Sequence, residues 1–242
     1  MMHHFFLPPE LIQGSVVIFP DATLHQIQRV LRLHDGDCVM VLDNSGKWYQ
    51  TLLKTGSQGL IGQVLTIKEA DTEPDLHIRL MACVSQREKY EWILQKGTEL
   101  GVSEFLPVIS HRTLIQKPAV IEKKRSRWEA ILREAAEQSH RGKLPILEPA
   151  MNFGEAIQTG DPASLRLIAH TADLTPLKDT LENHPVETYD LLVGPEGGFT
   201  AEEVQSAVQA GFYPVSLGKR ILRMETAALA IVTAVIFHSS NE

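Results

Sequence analysis

Two glycine-bearing stretches in the last quarter of the chain hold the residue types best suited to chemistry. The first, Leu191 to Thr200, reads LLVGPEGGFT, and the second, Ser216 to Ala230, reads SLGKRILRMETAALA. In the first, an apolar run stops at Gly194, and glycines permit positive φ and close approach of a ligand or another backbone. Pro195 fixes one turn and removes a donor. A helix starting after such a turn points free N–H groups back toward it, an arrangement that stabilises an anion. Glu196 inside the turn repels a phosphate and suits a neutral or cationic small molecule instead. No Gly-Lys-Ser/Thr follows, so this is not a Walker loop, and the three-glycine spacing of the dinucleotide fingerprint is absent. In the second stretch Gly218 precedes Lys219, Arg220 and Arg223, three cations within five residues. The helix behind them is thinned by Ala227, Ala228, Ala230 and Ala234. Small residues let backbones approach, so this helix is expected to be buried against another element or another subunit.

These turns need a scaffold, and the pattern of the chain predicts one. After residue 76 apolar runs alternate with helical periodicity: HIRLMACV, FLPVIS, LRLIAH, YDLLVG and YPVSLG read as strands. Between them lie an amphipathic helix from Arg87 to Val102 that stops at Gly101, a long charged helix from Glu122 to Ser139, and AEEVQSAVQAG. The last is capped by Thr200, with Glu203 completing a capping box. Strands alternating with helices predict a mostly parallel sheet covered on both faces. The first seventy residues look different. Asp21 or Thr23 can N-cap a short helix that places Leu24, Ile27 and Leu31 on one face. CVMVLD, the turn NSG at Asn44–Gly46, WYQTLL, a turn at Ser57–Gly59 and LIGQVLTI then suggest short strands closing into a small barrel. The polar run EADTEPD, Glu69 to Asp75, is the best boundary, giving domains at 1–70 and 71–242.

Composition bounds the function. The chain of 242 residues is 43% hydrophobic and carries a net charge of −7. That balance argues against nucleic acid until its distribution is read: residues 79–143 hold 13 Lys/Arg against 8 Asp/Glu, whereas 144–242 hold 5 against 13. The basic run Lys123–Arg127 is either a solvated helix face or a strip facing RNA. The longest apolar stretch, Ala227 to Phe237, is too short to span a bilayer, and MMHHFFLPPE lacks the features of a signal peptide. Cys38 and Cys83 suggest neither a disulfide framework nor a zinc site, and His3 and His4 lack a third ligand at metal spacing, so no metal is expected. A reducing, cytoplasmic setting is expected.

Taken together, GPEGGFT and LGKRILRMETA resemble the RsmE-type family of 16S rRNA uridine-N3 methyltransferases, within the SPOUT class of knotted methyltransferases. Further matching pieces occur in order: HQIQRVLRLHDGD, QKGTELGV with Lys96, Glu99 and Gly101, the P-x-x-S-x-R of Pro107–Arg112, and REAAEQSHR at Arg133–Arg141. The resemblance spans essentially the whole chain. It implies an α/β fold with a trefoil knot, a mostly parallel sheet with helices on both faces, and a preceding PUA-like β-barrel that binds RNA. It implies S-adenosylmethionine as cofactor, 16S rRNA of the 30S subunit as substrate, and a homodimer, with neither membrane nor metal involved. Thr171, Gly194, Glu196, Gly197, Gly198, Leu217, Gly218, Ile221 and Leu222 would then contact the cofactor.

Methylation at uracil N3 must remove a proton and stabilise the resulting anionic ring. Arg220 and Arg223 are the cations chosen for that role, and Glu137 and Glu196 are the candidate bases, in no order. His25, Arg29, Arg32, Gln138, Ser139 and Arg141 are the candidate RNA contacts, gripping phosphates that position the substrate. Two other readings stand beside this one: a SPOUT methyltransferase acting on a ribose 2′-hydroxyl of rRNA or tRNA, and a non-catalytic RNA-binding assembly factor. A nucleotide-binding enzyme of the doubly wound type is disfavoured by the lack of a phosphate motif.

Overall fold

The computed structural model describes residues 2–56, 59–171 and 175–239, without the side chain of Arg87. The chain divides into two compact units, Met1–Glu73 with Arg133–Leu144, and Pro74–Leu132 with Pro145–Glu242.

The first unit is built on strands β1 (His4–Phe6), β2 (Ile12–Gln13), β3 (Val16–Val17), β4 (Cys38–Leu42), β5 (Lys47–Gly56) and β6 (Gly59–Glu69), with helix α1 (Asp21–His25). They form one sheet in the order β1-β4-β5-β6-β3-β2, with β1 parallel to β4 and the other pairs antiparallel. The closed barrel expected here is not what the pairing gives: β1 and β2 are the two ends of an open path. Its concave packing still encloses a core of Phe5, Leu7, Val17, Phe19, Ile27, Val39, Val41 and Leu53. The hairpin at Asn44–Gly46 forms as expected, with Asn44 and Gly46 both at positive φ. Of the turn expected at Ser57–Gly59, Ser57 and Gln58 lie outside the described residues. Helix α1 follows Pro20 and no side chain caps it, so neither Asp21 nor Thr23 serves as N-cap. It runs on into a single π-helical segment, Gln26–Val30, and Ile27 is fully buried while Leu24 and Leu31 pack beside it. His4 is buried and stacks on His140 with ring centroids 4.0 Å apart; burial, then the neighbouring His140, lowers its pKa to about 4.

The second unit carries β7 (His77–Cys83), α2 (Arg87–Glu99), β8 (Glu104–Ile109), α3 (Pro118–Glu122), α4 (Arg125–Gln138), β9 (Ile146–Leu147), β10 (Met151–Asn152), α5 (Phe153–Ala156), β11 (Leu165–Ala169), α6 (Leu177–Asn183), β12 (Thr188–Val193), α7 (Ala201–Gln209), β13 (Tyr213–Val215) and α8 (Met224–Ser239). The last turns of α4, from Arg133 on, belong to the first unit. All seven strands are parallel, in the order β10-β8-β7-β12-β11-β13 with β9 on β8. Beyond their first residue, β7, β8 and β12 are buried at every position, as strands covered on both faces must be. Their continuous apolar runs are therefore the signature of a parallel sheet rather than of a half-solvated one.

The single long helix expected from Glu122 to Ser139 is two helices, α3 and α4, parted at Lys123–Lys124. Trp128, Leu132, Ala135 and Ala136 are buried as its pattern requires. Two of the four cations of the basic run at this junction are neutralised: Arg125 pairs with Glu122 at 2.9 Å and Glu129 at 3.2 Å, and Arg127 grips Glu91 through two bonds of 2.6 and 2.8 Å. Helix α8 packs on α2, β7 and β12, which accounts for its small residues within the chain itself. Cys83 is fully buried and its thiol is pushed up to about 12 by that burial, so it is inert, and Cys38 is also unpaired. Among the described residues no helix is long and apolar enough to cross a membrane.

Candidate active site

In a parallel sheet every strand delivers its following loop to the same edge, and ligands bind in the crevice outside the C-terminal strand ends. The second unit has one cavity of about 650 Å3 there. Five segments line it, each just beyond a strand: Lys89 after β7, Arg112 after β8, Ala169–Thr171 at the end of β11, Val193–Phe199 at the end of β12, and Leu217–Met224 after β13, with Ala227 behind. All nine residues expected to contact a cofactor are among them: Thr171, Gly194, Glu196, Gly197, Gly198, Leu217, Gly218, Ile221 and Leu222. So are Arg220 and Arg223. The two glycine-bearing stretches thus face one space.

The first turn is shaped by its glycines. Gly198 sits at φ +68, a backbone that side chains rarely adopt, and its N–H donates to the Pro195 carbonyl at 2.8 Å to close the turn. Gly197 lies against Arg112, whose Cδ would be 3.2 Å from an added Cβ. Helix α7 then starts with the expected capping box: Thr200 Oγ1 accepts from the Glu203 N–H at 3.2 Å, and the Glu203 carboxylate accepts from the Thr200 N–H at 2.8 Å. Both ends of the turn are therefore anchored in regular structure, with the buried ring of Phe199 beneath Gly194.

Charge in the cavity is lopsided. Glu196 is the one carboxylate among its lining residues, against Lys89, Arg112, Lys219, Arg220 and Arg223. The Lys89 ammonium donates to Glu196 Oε1 at 2.8 Å. Burial pushes the Glu196 carboxyl up, but the Lys89 hydrogen bond, its own backbone N–H and the Lys89 charge outweigh that, so the net shift is downward. Glu196 is thus ionised at neutral pH and weakly basic. Lys219, Arg220 and Arg223 are exposed and form no ion pair among the described residues. Ile221, which also lines the cavity, is 86% exposed, an apolar surface that none of the described residues covers.

Several expected site residues belong to the first unit. Glu137 belongs to the first unit, where its carboxylate accepts from the Phe6 N–H at 2.9 Å while Arg133 donates to the Phe6 carbonyl at 2.8 Å. Burial raises its pKa against the opposing pull of the Phe6 N–H and Arg133. It does not line the cavity, and its geometry is that of a clamp on β1. Glu137→Ala is accordingly expected to cost about 1–3 kcal/mol by stranding the Phe6 N–H, read by thermal denaturation, and to leave cofactor affinity unchanged. Arg141 is only 4% exposed and pairs with Glu73 at 2.7 Å, so its cation is turned inward rather than toward a ligand. Ser139 is partly buried, its hydroxyl donating to the Ala135 carbonyl at 2.8 Å, whereas Gln138 is exposed. His25, Arg29 and Arg32 are all exposed and unpaired among the described residues, with Arg32 at φ +56. Lys89 and His170 were not singled out by motif, and Arg112 only as the end of P-x-x-S-x-R. The signal that finds all three is position, in the segment that follows the C-terminal end of a parallel strand. Among the described residues no cluster of three or more His, Cys, Asp or Glu could hold a metal ion.

The chain is similar to known proteins along most of its length. The RNA methyltransferase domain family matches residues 72–236. The ribosomal RNA small subunit methyltransferase E of Synechocystis is 37% identical, over 98% of this chain and 78% of that protein. Its namesake from Bacillus subtilis is 29% identical over 89% and 88%. The crystal structure of a ribosomal RNA small subunit methyltransferase E from Neisseria gonorrhoeae, bound to S-adenosyl methionine, superposes with a TM-score of 0.89 at 34% identity, covering 97% of this chain and 96% of that one. A putative methyltransferase from Legionella pneumophila, in complex with the same cofactor, gives 0.87 at 27% identity over 97% of each chain. The family model spans all five segments that line the cavity, and the chain belongs to the ribosomal RNA small subunit methyltransferase E family of RNA methyltransferases.

Proposed function

We propose that this chain transfers a methyl group from S-adenosylmethionine to N3 of a uridine in the 16S rRNA of the small ribosomal subunit. The observation that carries the reading is the cavity itself, which brings a glycine turn with an ionised carboxylate face to face with unpaired cations. Its residues fit the cofactor. The volume suits a ligand of that size. Ile221, Leu222 and Leu217 offer apolar surface for an adenine ring, and the backbone of Gly194–Gly198 and Gly218 offers hydrogen-bonding groups at close range. Glu196 supplies a negative charge for the cationic end, a better match to its depressed pKa than the role of base. The cofactor brings an electrophilic methyl group on a sulfonium. The chain holds the reactants in line, which is the main source of rate in such a displacement. Arg220 and Arg223 stabilise the uracil anion as the N3 proton leaves to solvent.

On the same reading the first unit is a PUA-like RNA-binding unit that grips phosphates through His25, Arg29 and Arg32, supported by their exposure and lack of partners. The loops around β12, which lies between β7 and β11 while β13 returns to the far side of β11, are those that would form the trefoil knot. Helix α8, with Phe237 82% exposed, supports a homodimer. The ribosomal substrate places the enzyme in the cytoplasm.

The test is transfer of labelled methyl from S-adenosylmethionine to purified 30S subunits lacking the modification, beside 50S subunits and tRNA. Label in 16S rRNA alone is expected. Label confined to tRNA or 23S rRNA would overturn the substrate, and no cofactor binding would overturn the enzyme.

A further inference from the structure

The turn that carries Glu196 is held from outside as well as by its own bonds. Two cations reach it from segments far away in sequence. The Arg112 guanidinium donates to the Gly197 carbonyl, and the Lys89 ammonium donates to the neighbouring Glu196 carboxylate. Neither arrives there by chance of a long side chain. Lys89 stands in the first turn of α2, whose apolar face, Tyr90, Ile93 and Leu94, is fully packed in the core. Arg112 follows His111, whose backbone N–H donates at 2.8 Å to Glu203, the same residue that closes the capping box of α7. The stretch before it is tied internally too, as Ser110 N–H donates to Thr113 Oγ1 at 3.0 Å in a buried setting. Both supports therefore rest on regular or cross-linked structure, and both converge on two adjacent residues of a turn that has no side chain at Gly197 to obstruct them.

We propose that Arg112 and Lys89 are positioning residues that preorganise the Glu196–Gly197 turn for cofactor binding, acting through the turn rather than on the reacting atoms. This rests on the reading of the cavity as the S-adenosylmethionine site. The physical gain is entropic. A turn already fixed in its binding shape loses less freedom when a ligand arrives, so affinity rises without any new contact to the ligand. Lys89 adds a directional effect by fixing which way the Glu196 carboxylate faces, among Arg112, Lys219, Arg220 and Arg223, the other charged groups lining the space. A glycine at 197 is part of the same device, because a Cβ there would press on the Arg112 side chain.

The test measures S-adenosylmethionine affinity by calorimetry, amide hydrogen exchange across residues 194–199, and steady-state methyl transfer to 30S subunits, for wild type, Arg112→Met, Lys89→Met and Lys89→Arg. Arg112→Met is expected to weaken cofactor binding about five- to tenfold, and Lys89→Met about two- to fivefold, as for partly exposed charged contacts. Exchange in the turn should quicken in both, while kcat at saturating cofactor stays within about twofold and Lys89→Arg restores affinity, as expected when binding rather than the chemical step is lost. Unchanged affinity and exchange in both Met variants would overturn the inference. So would a rise in KM for 30S subunits alone, which would make the two cations direct RNA contacts. If either Met variant melts early, Lys89→Arg and the local exchange pattern still decide: loosening spread over the whole unit counts against a positioning role. Failure of the wild-type chain to bind the cofactor would instead overturn the function on which the inference rests, a result distinct from insensitive variants of a binding-competent protein.

Discussion

Arg223→Ala is expected to slow methyl transfer by about 100- to 1,000-fold at saturating substrates, the usual loss when one preorganised donor to a developing anion is removed. Arg223 lines the cavity, is exposed, and forms no ion pair among the described residues, so its guanidinium is available to a ligand. In neutral uracil the N3 lone pair is delocalised into the two flanking carbonyls and is unavailable until the N3 proton departs, and a cation near the ring oxygens lowers the cost of that departure. The effect therefore belongs to kcat more than to cofactor affinity, which should change by less than about threefold. It also has a pH signature. Without the cation the anion forms only at higher pH, so the alkaline rise in rate should move upward in Arg223→Ala. Arg220→Ala should behave in the same sense. Single-turnover rates across pH 6–10 provide the check, and a cofactor-affinity loss with an unshifted profile would reassign both arginines to binding.

The second large effect concerns stability, at the opposite edge of the same sheet. Asp190 of β12 is 2% exposed and lies 3.3 Å from Arg166 Nε and 4.0 Å from Arg79 Nη1. Arg166 also donates to the carbonyls of Ala210, Ile157 and Thr159, and Arg79 to Thr159 Oγ1. Burial raises the Asp190 pKa in spite of Arg79 and Arg166, so desolvation outweighs attraction and the cluster is no simple source of stability. Removing only its anion is nonetheless severe, because two guanidiniums stay buried. Asp190→Ala should cost about 3–5 kcal/mol, a fall in Tm on the order of 10 °C. Asp190→Asn keeps the volume and should cost roughly half as much. The sign with pH follows from the raised value. The folded chain binds this proton more readily than the unfolded one, so this group favours folding increasingly as pH falls from the folded pKa toward the ordinary aspartate value. Denaturant melts of wild type and Asp190→Asn from pH 4 to 7 test it, the advantage of wild type over the variant widening as pH falls and Asp190 protonates.

What could be read in advance follows from the range of the forces involved. Parallel strands and the capping box at Thr200 were legible because both are written in neighbouring residues: a continuous apolar run, and an acceptor three places before a glutamate. The cavity lining was legible because each glycine turn directly follows a strand. Glu137 was not, since its partner Phe6 lies 131 residues away and no local pattern announces it. Arg141, a candidate RNA contact by sequence, is instead turned inward by Glu73 of the polar run that marks the expected domain boundary. The barrel expected of the first seventy residues failed for a related reason. Strand spacing shows that short strands exist, but closure depends on whether the first and last edges meet, and β1 instead ends the sheet beside β4. Lys89 carries no sequence motif of its own, and only the fold sets it 2.8 Å from Glu196.

The most direct test of the central claim is the identity of the modified nucleoside. Unmodified 30S subunits would be incubated with the chain and S-adenosylmethionine, and the 16S rRNA digested and resolved by mass spectrometry against authentic methyluridines. N3-methyluridine at one site, formed only when both chain and cofactor are present and lost in Arg223→Ala, is the predicted result. A ribose 2′-O-methyl nucleoside or a methyl group on another base atom would contradict the assigned chemistry, because the cations of this cavity would then be stabilising a different leaving proton.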